Sequence, residues 1–267
     1  MASGRRFCLF HVPDRVAING ALVYVHPFAE EMNKSRRMAA LQSQALAEAG
    51  YAVLQIDLLG CGDSSGDFGD ATWTAWVDDV LLACRWLTER TQAPLWLWGL
   101  RAGCLLAGEA AQQMDQRCDF LFWQPMTVGA LALQQFLRLK VASELLTGQS
   151  KSVMEEMRRR LNRGESVEVA GYALSPALAS GLEAATLDPP RSRGRECRLE
   201  WLEVSTRAGA SHAPASSQAL ERWRAAGVSG RSQIVEGPAF WQTVEVEDAP
   251  QLIRATVAAV SVLVEEP

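Results

Sequence analysis

Alternation between short apolar runs and longer amphipathic segments constrains the fold of this chain more than any other sequence feature. The short runs are rich in β-branched and aromatic residues, which is typical of strands buried on both faces of a sheet. Predicted strands cover residues 21–25, 51–56, 95–98 and 120–123, and predicted helices cover residues 35–49, 72–90 and 99–114. This alternation predicts a parallel sheet with helices packed on both faces.

The second half of the chain interrupts the alternation. Residues 127–190 are mainly helix-like and end at the break Pro189-Pro190. The earlier pattern then returns, with predicted strands at residues 199–204 and 233–235 and a predicted helix at residues 248–264. We therefore predict a single α/β domain over residues 1–267, with a helical cap inserted at about residues 127–190.

Composition and charge exclude several classes of protein. The 267 residues carry 26 Lys and Arg against 31 Asp and Glu, and this net charge of -5 disfavours a general electrostatic interaction with nucleic acid. No apolar run reaches the roughly 18 residues that a membrane-spanning helix needs. Residues 1–10 lack the apolar stretch and the small-residue cleavage site of a signal peptide. These features predict a cytoplasmic protein that neither crosses a membrane nor binds nucleic acid.

The six cysteines predict reduced, mostly buried thiols. They contain no C-x-x-C pair and have no histidine at the spacing of a zinc site. The sequence also contains no phosphate-binding P-loop and no G-x-G-x-x-G dinucleotide motif. We therefore predict neither a metal nor a cofactor.

Three loops follow predicted strands, at the edge of a parallel sheet where ligands bind. The sequence Gly99-Leu100-Arg101-Ala102-Gly103 stands between a strand and a helix, in the frame of the G-x-S-x-G nucleophile elbow. His26-Pro27-Phe28 follows the first strand, where hydrolases that contain such an elbow place an oxyanion loop. The third loop, residues 57–64, follows the second strand and has the pattern D-x-x-G-x-G-x-S.

The same loops carry a specific resemblance. Residues 26–37, 60–68 and 98–103 resemble the exosortase A system-associated hydrolases of the second type, within the α/β-hydrolase superfamily. The resemblance to the superfamily covers nearly the full length of the chain. It implies an α/β-hydrolase fold and a bacterial protein encoded near exosortase and exopolysaccharide genes, usually beside a second, distantly related hydrolase-like protein.

The residues at the three expected catalytic positions argue against ordinary serine hydrolysis. The elbow holds Arg101, whose guanidinium stays protonated and offers no nucleophilic lone pair. Residues 237–242, which match the loop of the general base, contain no histidine, and no histidine follows His212. Residues 205–212, which match the loop of the acid, contain no carboxylate. The sequence thus predicts a pseudoenzyme that has lost the Ser-His-Asp triad.

Two interpretations of Arg101 remain open. In the first, Arg101 binds an anionic group together with the backbone N–H groups of Phe28 and Ala102, at a helix N-terminus that favours negative charge. In the second, Arg101 is neutralised by Glu30 or Glu31 on the adjacent loop.

The other candidate residues also have more than one interpretation. Trp241 lies in the loop that would hold the base, and it either forms the floor of the pocket or serves only in packing. His26 is expected to brace the oxyanion loop, and His212 is expected to be exposed to solvent. The arginines at 158–160 and 191–198 are expected to form a solvated face.

Two functional hypotheses follow from these residues. The first is a binding protein that holds a small anionic or acyl ligand, or a protein partner, in an exosortase- and exopolysaccharide-linked system. The alternative is an esterase-like hydrolase with unorthodox chemistry. In that case Arg101, His26 and Glu30 hold a water molecule, and no covalent acyl-enzyme forms.

Overall fold

The computed structural model describes residues 4–14, 17–144, 150–190 and 197–261, and the chain divides into two compact units. The first unit contains residues 1–7, 57–79 and 128–186, and the second contains residues 8–56, 80–127 and 187–267. Three of the predicted surface arginines (Arg191, Arg193 and Arg195) and the last predicted residues of the closing helix, 262–264, lie outside the described residues.

Strands and helices alternate along most of the chain. The strands are β1 (Cys8–His11), β2 (Gly20–Val25), β3 (Tyr51–Ile56), β4 (Leu95–Leu100), β5 (Asp119–Trp123), β6 (Val167–Val169), β7 (Tyr172–Leu174), β8 (Arg198–Ser205) and β9 (Ser229–Glu236). The helices are α1 (Glu30–Glu48), α2 (Trp73–Thr91), α3 (Gly103–Gln112), α4 (Gly129–Glu144), α5 (Ser150–Asn162), α6 (Pro176–Ala184), α7 (Pro214–Ala225) and α8 (Pro250–Ser261).

The second unit is built on a seven-stranded sheet. The strand order is β1-β3-β2-β4-β5-β8-β9, and every neighbouring pair is parallel except β1 with β3. The predicted fold, a mostly parallel sheet flanked by helices, is therefore confirmed. The register aligns Leu100 with Trp123, and Trp123 with Leu202. The residues that follow these three positions consequently lie side by side at the carboxyl edge of the sheet.

Aromatic side chains fill the space on both faces of this sheet. On one face the rings of Trp98 and Trp123 meet edge to face at 4.8 Å, and Trp123 Nε1 donates a hydrogen bond to Thr256 Oγ1 in α8 at 2.9 Å. On the other face Trp223 in α7 packs against Phe120 with ring centroids 4.9 Å apart. Such rings bury a large apolar area and dominate the energetics of a core.

The first unit joins the loop after β3 to the segment between β5 and β8. That segment contains α4, α5, α6 and the antiparallel hairpin formed by β6 and β7. Phe68 packs edge to face on Tyr172, with ring centroids 5.0 Å apart. Ser175 caps α6 by accepting a hydrogen bond from the backbone N–H of Leu178, and its hydroxyl donates to the carbonyl oxygen of Ala71 at 2.7 Å.

Four elements and two helix boundaries differ from the sequence prediction. The edge strand β1, the hairpin strands β6 and β7 and the helix α7 were not predicted from the sequence, and α3 begins at Gly103 rather than at residue 99. Helix α1 begins at Glu30 rather than Ser35, because its first turn is polar and shows no apolar periodicity. The acidic residues Glu30 and Glu31 suit this position, since the helix dipole stabilises negative charge at an N-terminus. None of the described helices is both long and apolar enough to cross a membrane.

Candidate functional site

A sharp turn at Arg101 links β4 to α3. Arg101 has a φ of 56°, in the left-handed region that non-glycine residues seldom adopt. Its backbone N–H donates to the carbonyl oxygen of Trp123 at 3.0 Å, and its own carbonyl oxygen accepts from the N–H of Cys104 at 3.1 Å. These bonds hold the turn at the carboxyl edge of the sheet. The backbone thus has the strand–turn–helix form of a nucleophile elbow, and Arg101 lies at the turn.

The two glycines of this turn are required by close packing. A Cβ on Gly99 would lie 2.6 Å from the Cα of Cys104, and a Cβ on Gly103 would lie 2.2 Å from the carbonyl oxygen of Val25. Both distances are shorter than van der Waals contact. The G-x-x-x-G spacing therefore has a steric cause: α3 crosses the strands more closely than any side chain allows.

The guanidinium of Arg101 forms an ion pair with Glu31. Nε and Nη2 donate to the same carboxylate oxygen, Oε1, at 3.3 and 3.2 Å. The side chains are only 9% and 15% exposed. Of the two interpretations left open by the sequence, the structure shows the neutralised one, and the partner is Glu31. Burial raises the pKa of Glu31, and the positive charge of Arg101 partly opposes that rise.

Glu30 lies beside this pair, in the first turn of α1. Burial raises the pKa of its carboxyl group, and the neighbouring Glu31 raises it further. Its Oε2 atom is buried and has no hydrogen-bond partner among the described residues. One turn further along, Lys34 Nζ donates to the carbonyl oxygen of Gln242 at 3.5 Å. Since residues four apart share a helix face, Glu30 lies on the face of α1 that meets the loop around Gln242.

The loop after β2 holds the other predicted site residues. His26 is buried, and its Nδ1 lies 2.8 Å from the carbonyl oxygen of Pro27, a contact that fits its expected bracing role. The carbonyl oxygen of Phe28 accepts from the N–H of Glu31 at 3.2 Å, which joins the loop to α1. Ala29 has φ 51° and ψ -123°, a conformation that favours glycine.

Trp241 packs in the core beside Arg101. It is 3% exposed and packs edge to face on Phe240 at 5.1 Å, as a core residue does. Its ring also lies 5.5 Å from the guanidinium carbon of Arg101. The indole Nε1 is buried and has no hydrogen-bond partner among the described residues. Ala102 is buried as well, directly after Arg101 at the start of α3.

The prediction that His212 is exposed is wrong. Its side chain is 19% exposed, and its Nδ1 lies 3.1 Å from Oε2 of Glu203. The two atoms are within ion-pair distance, although the ring nitrogen is not aligned for a hydrogen bond. The other carboxylate oxygen of Glu203 accepts a hydrogen bond from Trp201 Nε1 at 2.8 Å.

Glu203 was not predicted from the sequence, because the acid of such a site is expected in the loop after the strand. Glu203 lies within β8 and follows Leu202, so it occupies the same level of the sheet edge as Gln124 and Arg101. The sequence feature that could have indicated it is a glutamate within the predicted buried strand, residues 199–204. Among the described residues, no group of three or more His, Cys, Asp or Glu side chains is arranged to hold a metal ion.

The predicted surface arginines at 158–160 are exposed or half-buried, as expected for a solvated face. Each of them pairs with a glutamate: Arg158 with Glu183, Arg159 with Glu156 and Arg160 with Glu165. The prediction is wrong for Arg198, whose side chain is only 15% exposed.

The sheet order and the strand–turn–helix at Arg101 define an α/β-hydrolase fold. The chain belongs to the family described as serine aminopeptidase, S33 (Hydrolase_4), whose model matches residues 17–161.

Solved structures of hydrolases share this fold. Est1E from Butyrivibrio proteoclasticus, solved with ferulic acid bound, superposes with a TM-score of 0.62 at 14% identity, covering 96% of this chain and 93% of that one. A soluble variant of the monoglyceride lipase from Saccharomyces cerevisiae also gives a TM-score of 0.62, at 10% identity, covering 98% of this chain and 92% of that one. At these identities the likeness concerns the fold alone.

One curated protein is similar over part of the sequence. The human Protein ABHD12B is 29% identical over 117 residues, which cover 43% of this chain. The matched segment spans 31% of the length of that protein.

Proposed function

We propose that this protein is a non-hydrolysing member of its family that binds an acyl or anionic compound at the elbow. One observation carries the proposal: the elbow backbone is intact, but its reactive position holds Arg101, which is engaged by Glu31. An arginine in an ion pair has no electron pair to attack an acyl carbon. The chemistry left to this position is electrostatic, which means binding and orienting a ligand.

The positions of the general base and acid support the same proposal. No histidine follows His212 in the sequence, so the loop that contains Trp241 has none. His212 lies against Glu203, and the described contact of its Nδ1 is with that carboxylate. A Ser-His-Asp enzyme needs all three groups in contact, and loss of any one removes most of its activity.

The expected ligand class rests on the fold and on the resemblance to a family. Est1E is known with ferulic acid bound, and the yeast monoglyceride lipase with a substrate analogue. One protein that shares this fold therefore binds a carboxylic acid, and another binds an analogue of its substrate. The resemblance of residues 26–37, 60–68 and 98–103 to exosortase A system-associated hydrolases adds a role in exopolysaccharide-linked processing. It also suggests the neighbouring hydrolase-like protein as a partner.

Ester hydrolysis by the purified protein tests the proposal. Short- and medium-chain p-nitrophenyl esters are assayed with the wild type, Arg101→Ala and the control Arg37→Ala, whose ion pair with Asp248 is exposed. We expect all three rates to equal the rate without protein. Turnover that persists in Arg37→Ala and is lost in Arg101→Ala would contradict the proposal. It would instead support the alternative, in which Arg101, His26 and Glu30 hold the attacking water.

The variant His212→Ala tests whether any hydrolysis depends on His212 rather than on Arg101. If turnover survives in Arg101→Ala and is lost in His212→Ala, the chemistry depends on the pair formed by His212 and Glu203. Either active outcome overturns the non-hydrolysing proposal and identifies the group responsible.

A further inference from the structure

We infer that Glu31 occupies, in the free protein, the place that the carboxylate of a ligand takes on Arg101. The ligand class is then a carboxylic acid, whose anion replaces Glu31 and accepts hydrogen bonds from Arg101 and from the indole N–H of Trp241. This inference rests on the proposed binding function and specifies its ligand and the internal competitor for the site.

The geometry of the ion pair is the first support. Arg101 donates through two nitrogens to a single oxygen of Glu31, at 3.2 and 3.3 Å. Charge-assisted hydrogen bonds between arginine and a carboxylate are usually about 2.7–2.9 Å long, and paired oxygens give the strongest arrangement. The bonds from Arg101 to Glu31 are therefore longer than those that a freely placed carboxylate can form. An internal group of this kind can be exchanged for a ligand that fits better.

An unused donor is the second, independent support. Trp241 is 97% buried, and its Nε1 has no hydrogen-bond partner among the described residues, while its ring lies 5.5 Å from the guanidinium carbon of Arg101. A buried donor without an acceptor is costly, and it is relieved by any group that supplies one. In the inferred complex, the second oxygen of the ligand carboxylate is the acceptor for this indole N–H. Glu31 offers no described contact to it.

The surroundings of Glu31 allow the exchange. Its side chain lies in the first turn of α1 and is 15% exposed, so it is near solvent. Lys34, one turn further along, lowers the pKa of Glu31 and is a positive charge to which the displaced carboxylate can turn. Glu30 is also close, and its negative charge raises the cost of keeping two carboxylates together in this turn. When Glu31 moves away from Arg101, Lys34 can therefore serve as its new partner.

Calorimetric titration with matched pairs of acids and amides tests the inference. The probes are benzoate and hexanoate, each compared with its neutral amide, benzamide or hexanamide. The variants are Glu31→Gln, which removes the competing charge, and Glu48→Gln, which removes the same charge from the exposed far end of α1. Arg101→Met and Trp241→Phe remove the two proposed donors.

We expect Glu31→Gln to bind both acids about tenfold more tightly than the wild type, a change of about 1.4 kcal/mol. Glu48→Gln should match the wild type, and neither amide should gain affinity in any variant. Introducing Trp241→Phe into Glu31→Gln should weaken binding severalfold, and Arg101→Met should abolish it. Because Glu31→Gln alters a buried pair, Glu31→Asp provides a second test: its shorter carboxylate reaches Arg101 less well, so it should also bind the acids more tightly.

Three results would overturn the inference: no gain in affinity in Glu31→Gln and Glu31→Asp, equal binding of acid and amide, or unchanged binding in Arg101→Met. Circular dichroism and thermal unfolding verify that each variant is folded. These outcomes are independent of the ester assay. Hydrolysis would overturn the proposed function, whereas failure of the acids to compete with Glu31 would overturn only the ligand assignment.

Discussion

Gly103 and Val25 are so close that a Cβ on Gly103 would lie 2.2 Å from the carbonyl oxygen of Val25. Gly103 is the first residue of α3, and Val25 is the last residue of β2. The contact fixes the start of the helix against the sheet and thereby fixes the turn at Arg101. The conformation of the elbow backbone thus depends on a glycine that performs no chemistry.

Replacing this glycine should damage the whole second unit. Gly103→Ala forces a methyl group onto backbone atoms that have no rotamer to change, so we expect a loss of about 3 kcal/mol in the free energy of unfolding. Urea denaturation followed by tryptophan fluorescence measures this change. The matched control is Gly230→Ala in β9, where the nearest atom to the new Cβ is 3.7 Å away and the stability should change by less than about 1 kcal/mol. Equal midpoints for the two variants would show that α3 can shift.

From the ion pair of Arg101 with Glu31 we predict how the stability of the variant Arg101→Ala depends on pH. Burial raises the pKa of Glu31 above its value of 4.5 in the unfolded chain, and Arg101 limits that rise. Arg101→Ala removes the charge that opposes this rise. Glu31 should then bind a proton more strongly in the folded protein than in the unfolded chain. The contribution of Glu31 to the free energy of unfolding should therefore be highest at low pH and should fall as the pH rises through the folded pKa of this group. Each unit of additional pKa difference costs about 1.4 kcal/mol above that range.

Urea titrations at pH 5, 6, 7 and 8 measure this dependence. The stability of Arg101→Ala relative to the wild type should decrease from pH 5 until the pH passes the folded pKa of Glu31, and it should be constant above that pH. The double variant Arg101→Ala/Glu31→Gln is the control, because it lacks the titrating group and should lose the extra slope. A parallel pH dependence in the wild type and Arg101→Ala would mean that Glu31 is solvated once its partner is removed.

Much of the fold was predictable because the central strands are continuous apolar runs. Predicted and observed bounds of β2 and β3 agree to within one residue, since a strand buried on both faces needs apolar side chains at every position. Strand β1 was missed because it is an edge strand whose residues are exposed or half-buried. Helix α7 was missed because its start lies in an alanine- and serine-rich stretch.

The site was predictable only as far as the local motif reached. The elbow was predicted from the motif formed by Gly99, Arg101 and Gly103. The choice between an open and a paired Arg101 depended on Glu31, which is 70 residues earlier in the chain and meets it only after β2 and β4 pair. Glu203 was missed for a related reason. Its contact with His212 depends on the loop after β8 folding back onto that strand. No local sequence pattern predicts this fold.

The cysteines predict a simple chemical result. Cys8 is the exposed thiol, and the other five are buried. Burial raises the pKa of Cys84 to about 12 and raises that of Cys104 well above its ordinary value, so neither forms the reactive thiolate at neutral pH. Ellman's reagent at pH 8 should therefore modify one thiol rapidly in the native protein and all six in denaturant. Cys8→Ser should lose the rapid phase, and a rapid phase that persists in this variant would place another thiol at the surface.

The carboxylate of Glu203 predicts a difference between two substitutions at one position. Glu203→Leu leaves the buried Trp201 Nε1–H without an acceptor and His212 without its neighbouring charge, so we expect a loss of about 2 kcal/mol in the free energy of unfolding. Glu203→Gln retains an acceptor oxygen for the indole and should lose less than half as much. Glu236→Gln, an exposed glutamate at the end of β9, should be neutral. If Glu203→Gln proved as damaging as Glu203→Leu, the charge beside His212, rather than the hydrogen bond to Trp201, would account for the stability of this edge of the sheet.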